Sequence, residues 1–126
     1  MTLTTIVLLV LGLFVAQLFL QETSRFGLDL MGIIGNRDKL PTPSVVAARL
    51  DRAKNNMLEA LPLFLGLAML AFLSGGEPNE AANGATVFLI ARILYVPAYM
   101  SGIPMLRSLL WLAGMAGLLM MASINF

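Results

Sequence analysis

Cysteine and histidine are both missing from this chain. Without cysteine there is no disulfide, no thiolate metal site and no cysteine nucleophile. Without histidine, the usual general base near pH 7 is gone, along with the commonest metal ligand. Charge is scarce as well, at 12% of residues, against about 25% in an ordinary soluble domain. The net charge of +1 says little by itself; no nucleic-acid partner is expected, and no metal site, since the usual ligands are missing.

Apolar sequence fills the space those residues leave. The chain of 126 residues is 59% hydrophobic, with a mean hydropathy of +0.87. Thr2 to Gln21, Ala60 to Gly76 and Ser108 to Phe126 carry no charge, and Ala81 to Leu106 carries only Arg92. Each stretch is close to the ~20 residues that cross a bilayer. The expected architecture is an all-α integral membrane protein, a bundle of four transmembrane helices in a single domain, 1–126. The spans are expected near 2–21, 43–74, 82–100 and 105–125. The first span has no basic residue ahead of it and no small-x-small site before Gln21-Glu22, so it reads as a retained helix and not a signal peptide.

Charge placement orients the bundle. Arg25, Arg37, Lys39, Arg49, Arg52 and Lys54 lie between spans one and two or at the start of span two, and Arg107 follows the turn after span three. The opposite side holds only Glu77 and Glu80. The positive-inside rule places the basic loops in the cytoplasm and both termini outside. The expected location is the bacterial inner membrane. Thr42-Pro43 reads as an N-cap followed by proline at the first helical position. A helix from Pro43 to Leu73 is about 46 Å long, so its first turns should project beyond a ~30 Å hydrocarbon core. Phe26 to Pro41 reads as a glycine-punctuated loop. Pro62 and Pro97 fall inside spans and predict kinks.

Four polar residues of span two carry the strongest functional signal. Arg49, Arg52, Asn56 and Glu59 are spaced 3, 4 and 3 apart, within an arc of roughly 80° on one helix face. Arginine forks suit carboxylates, asparagine adds a neutral donor and acceptor, and glutamate can hold an ammonium. Together they suit a small, amino-acid-like ligand arriving from the cytosol. The plainer alternative is that the arginines snorkel to headgroups while Asn56 and Glu59 join helices.

Arg92, Tyr95 and Tyr99 share a face of span three within about 60°. An arginine that deep needs an anion or water, and Glu59 lies at a matching depth, so a Glu59–Arg92 ion pair is expected. The tyrosines are either interface anchors or donors to a ligand. Arg107-Ser108 opens span four, with Trp111 one turn on. Arg107 is either a headgroup anchor or a source of positive potential for a thiolate or oxyanion, with Ser108 as donor. Ala113, Gly114, Ala116 and Gly117 form a small-residue face suited to close helix packing.

As a string, Arg49-x-x-Arg52-Ala53-x-x-Asn56-x-x-Glu59-x-x-Pro62 resembles the helix-two signature of the MAPEG family, the membrane-associated proteins in eicosanoid and glutathione metabolism. Arg92-x-x-Tyr95-x-x-x-Tyr99 is similar to that family's helix-three pattern, and Arg107-Ser108 resembles its helix-four opening. The likeness extends over essentially the whole chain.

The resemblance implies a homotrimer of four-helix bundles in the lipid bilayer, with glutathione as co-substrate in a cytoplasm-facing cleft. Arg49, Arg52, Asn56, Glu59, Arg92, Tyr95 and Tyr99 would hold the tripeptide. Arg107 and Ser108 would serve the thiolate, which is presented to a lipophilic small molecule or peroxide. The implied activity is that of a glutathione transferase or peroxidase. Lys54 stands where many relatives have histidine. The segment Met100-Ser101-Gly102-Ile103-Pro104-Met105-Leu106 lacks the arginine that relatives often carry there. That departure keeps open a non-catalytic protein with a ligand cleft. A small multidrug-type exporter ranks last, because span one has no carboxylate.

Overall fold

The structure is a computed structural model and describes residues 1–26, 45–74 and 77–124. Four helices, each long and apolar enough to span a membrane, make up the described chain. They are α1 (Leu3–Phe26), α2 (Val45–Leu73), α3 (Ala82–Ser101) and α4 (Pro104–Ser123). The expected all-α membrane bundle is therefore the fold observed.

The starts of α1 and α4 have local causes. The Thr5 amide donates to Thr2 Oγ1 at 3.2 Å, and the Leu3 amide donates to Asn79 Oδ1 at 3.0 Å. Those bonds satisfy donors that a helix start leaves unpaired. Because Asn79 lies in the turn between α2 and α3, they also bring the start of α1 to that end of the bundle. The turn itself is a short 3-10 helix, Pro78–Ala81. Pro104 occupies the first turn of α4, preceded by extended Ile103, where its fixed φ and missing N–H do no harm.

Two boundaries differ from the sequence expectation, and both internal prolines lie within continuous helices. α1 runs past Gln21 to Phe26, because charged residues end a hydrophobic run without breaking a helix. The Met100–Leu106 turn shrinks to Gly102 and Ile103. Gly102 closes α3 in the left-handed region, φ 75°, and Pro104 starts α4 at once, which puts Arg107 in the first turn of α4. α2 and α3 run unbroken through Pro62 and Pro97. The expected start at Thr42-Pro43 and the loop from residue 27 to Pro41 lie outside the described residues.

α3 is the central helix, with half of its span buried against 22% for α1 and for α4. It packs on the other three helices, whereas α1 and α4 do not meet among the described residues. The tightest seam joins α3 to α4. A Cβ on Gly84 would lie 2.6 Å from the Gly117 carbonyl, and one on Gly117 would lie 2.7 Å from the Gly84 carbonyl. Backbone there touches backbone, the use expected of the small residues in span four. Phe64 and Phe88 stack at 4.8 Å between α2 and α3.

α2 buries Leu50, Ala53, Met57, Ala60 and Phe64 toward its neighbours. The polar residues Arg49, Arg52, Asn56 and Glu59 each precede one of the first four. A one-residue offset is a rotation of about 100°. The polar stripe therefore flanks the packed seam, where a groove between helices can open.

Candidate functional site

The four stripe residues have different surroundings. Arg49 Nη1 donates to the Met100 carbonyl at 2.8 Å, at the carboxyl end of α3. Arg52 is exposed, with its guanidinium carbon 5.8 Å from the centre of the Tyr99 ring. Asn56 Oδ1 accepts a hydrogen bond from Arg92 Nη1 at 2.7 Å. Glu59 is exposed.

Arg92 is the largest fully buried side chain among the described residues, only 1% exposed. Its guanidinium carbon sits 4.3 Å from the centre of the Tyr95 ring. It meets the ring face and the Asn56 amide oxygen, and among the described residues Nε and Nη2 have no hydrogen-bond partner. The expected Glu59–Arg92 ion pair is not formed. Pairing would have required a carboxylate to be stripped of solvent, which offsets much of the attraction gained. A neutral amide already held within reach avoids that desolvation.

Tyr95 and Tyr99 stand one turn apart on α3, with ring centres 5.6 Å apart and planes tilted by 58°. The Arg107 guanidinium reaches back from α4 to lie 4.8 Å from the centre of the Tyr99 ring. Tyr99 thus has Arg52 of α2 and Arg107 of α4 as cationic neighbours. Such contacts are worth about 0.5–2 kcal/mol each, more where water is excluded.

Two clefts open along this row. A polar one of about 360 Å³ is lined by Arg52, Asn55, Asn56 and Glu59 of α2, facing Tyr95, Tyr99 and Arg107. An apolar one of about 320 Å³ is lined by Tyr95, Arg107, Ser108, Trp111 and Leu112. Tyr95 and Arg107 belong to both walls, so the clefts adjoin. Both volumes fall at the low end of the ~300–1,000 Å³ usual for small-molecule sites.

The sequence model of the MAPEG family matches residues 1–126. The chain belongs to the MAPEG family. It is an integral membrane protein of the family of glutathione and eicosanoid metabolism. No curated protein and no solved structure matches it.

For this MAPEG chain the structure gathers Arg52, Asn56, Glu59, Tyr95, Tyr99 and Arg107 at the polar cleft, and Ser108 at its apolar neighbour. Arg92 stands behind the wall, holding Asn56 and Tyr95, and does not line the cleft. Arg49 faces the end of α3 instead. Asn55 was missed by the sequence reading. It sits about 40° beyond the arc of the four stripe residues, so a slightly wider arc would have included it.

Proposed function

We propose that this MAPEG-family protein binds glutathione in the polar cleft and delivers its thiolate to a lipophilic electrophile or peroxide in the apolar one. The carrying observation is the shared wall: Tyr95 and Arg107 line both clefts. A reaction between a water-soluble thiol and a membrane-soluble partner needs two adjoining compartments of opposite polarity, with a cation where they meet.

The residue chemistry supports this assignment. Glutathione is a zwitterion with two carboxylates, one ammonium and one thiol. Arg52 suits a carboxylate through a charge-assisted fork, and Glu59 suits the ammonium. Asn55 and Asn56 can bond its peptide groups. The thiol sulfur then falls toward Arg107, whose positive charge favours the thiolate. In conjugation, a sulfur lone pair forms the new carbon–sulfur bond while the leaving group departs with its bonding pair. In peroxide reduction, the thiolate breaks the O–O bond, and a second glutathione completes a disulfide with release of alcohol and water. The Ser108 hydroxyl, on the apolar wall, donates to the oxygen that gains charge.

The assembly we propose is a homotrimer in the bacterial inner membrane, with the basic end of the bundle in the cytoplasm. The broad exposed apolar faces of α1 and α4, such as Phe19 and Leu119, suit lipid and neighbouring copies. The decisive experiment is a conjugation and peroxidase assay in detergent, with and without glutathione, alongside thiolate absorbance of the bound tripeptide. Glutathione-dependent turnover supports the proposal. Binding with neither turnover nor a bound thiolate makes the protein a non-catalytic relative with a ligand cleft. That outcome would reflect the absence of an arginine from the turn between α3 and α4.

A further inference from the structure

Arg49 opens the polar stripe, yet its guanidinium is engaged away from the cleft. Nη1 donates to the Met100 carbonyl at 2.8 Å. Nη2, the guanidinium carbon and Nη1 lie 2.9, 3.1 and 3.1 Å from where a Cβ on Gly102 would stand. Gly102 is the left-handed residue that ends α3, and its own amide donates to the Tyr99 carbonyl at 3.3 Å. An arginine at this point answers a carbonyl left unpaired at the helix end and complements the negative end of the helix dipole.

The residues joined at this cap bear on the cleft. Tyr99 occupies the last turn of α3 and lines the polar wall. Two residues beyond Gly102, Pro104 starts α4, and the Arg107 amide donates to the Ile103 carbonyl at 3.3 Å. Arg107 then folds back onto the Tyr99 ring. The path runs from Arg49 to Met100 and Gly102, through a two-residue turn, to Arg107 and back to Tyr99. We propose that Arg49 is a positioning residue: its guanidinium, held between the Met100 carbonyl and Gly102, sets the α3–α4 turn and so the placement of Arg107 against Tyr99. This rests on the cleft being the working site, and it assigns Arg49 a role other than contact with glutathione.

The chain has one tryptophan, and Trp111 lies on the apolar wall with Arg107. Its fluorescence reports the seating of α4 without any ligand. The experiment compares wild type with Arg49→Ala, Arg49→Lys, Gly102→Ala, the Arg49→Ala/Gly102→Ala double variant and Arg52→Ala in detergent. It reads Trp111 emission, acrylamide quenching and glutathione affinity by calorimetry.

Gly102→Ala should displace the guanidinium from the far side. It should therefore move Trp111 emission in the same direction as Arg49→Ala and weaken glutathione binding about tenfold. In the Arg49→Ala background the same glycine change keeps the strain of alanine in the left-handed region but loses the clash with the guanidinium, so its effect on affinity should be smaller than in wild type. Arg49→Lys, which keeps a donor for the Met100 carbonyl, should restore part of both signals. Arg52→Ala should weaken binding with the Trp111 spectrum unchanged.

The inference is overturned if Arg49→Ala weakens binding while Trp111 emission stays at its wild-type position; Arg49 would then act on the ligand directly. If wild type binds no glutathione, the proposed function fails, but the Trp111 readout still decides the positioning role. Should Arg49→Ala fail to fold, Gly102→Ala and Arg49→Lys carry the comparison.

Discussion

Arg92 Nη1 donates to Asn56 Oδ1 across 2.7 Å, and this bond ties the central helix to α2 directly behind the cleft wall. It orients both partners. Asn56 is half-buried with its oxygen committed to Arg92, which leaves its amide nitrogen for the cleft. Arg92 in turn lies against the ring of Tyr95, the residue shared by the two clefts.

Removing the amide should matter more than removing the carboxylate that was expected to fill this role. Asn56→Leu deprives a buried guanidinium of a hydrogen bond and should destabilise the protein by about 1.5–3 kcal/mol. Glu59→Ala, at an exposed position, should change stability by no more than about 0.5 kcal/mol. Thermal unfolding in detergent ranks the two, and the opposite order would restore Glu59 as the partner of Arg92.

Glycine substitutions along the helices should divide into two sets. Gly84→Ala and Gly117→Ala force a methyl against facing backbone and should each lose about 1–3 kcal/mol. Gly12→Ala and Gly66→Ala meet nothing within 4 Å. They should be neutral, or more stable by up to about 1 kcal/mol through helix propensity. Equal effects in all four variants would mean that α3 and α4 do not pack as closely as described.

Arg52→Ala removes a charge-assisted partner for a glutathione carboxylate. Affinity should fall by about 1.5–3 kcal/mol, or roughly 10- to 150-fold. Isothermal titration with solubilised protein measures it. Unchanged affinity would show that the ligand lies elsewhere.

Arg107→Ala should act on chemistry more than on affinity. A nearby cation favours the thiolate, so its loss should raise the pKa of the bound thiol and shift thiolate absorbance to higher pH. Turnover near neutral pH should fall with the thiolate fraction. Ser108→Ala should leave that titration in place and lower turnover alone. If the absorbance profile of Arg107→Ala matches wild type, the activating cation is not Arg107.

The cysteine-free chain allows a clean test of sidedness. Glu77→Cys, in the turn after α2, should react with a membrane-impermeant maleimide added to intact cells. Ser101→Cys, exposed where α3 ends, should react only after permeabilisation. The reverse pattern would invert the bundle and move the polar cleft away from the cytoplasm.

The polar stripe of α2 was legible because helical azimuth follows from residue spacing alone. Azimuth does not say which neighbour each side chain meets. Asn56 and Glu59 are three residues apart, about 4.5 Å of helix rise, and depth counted from loop charges cannot resolve so small a step. Choosing the carboxylate as the partner of Arg92 followed charge complementarity and left out the desolvation that a buried pair requires. Arg49 shared the arc of the other three but sits nearest the helix start, where it reaches the end of α3.

Composition and period by themselves determined that the chain is a four-helix membrane bundle. Hydrophobic runs of bilayer length leave the backbone no other means of satisfying its hydrogen bonds in lipid. Motif spacing likewise marked the family and most of the residues that line the polar cleft, though not Asn55. Tertiary structure decided the rest. Gly84 meeting Gly117 sets how closely α3 and α4 approach, and Gly102 followed by Pro104 shortens the turn so that Arg107 returns to Tyr99. Those outcomes depend on the distance and angle between helices, which packing sets and no single helix encodes.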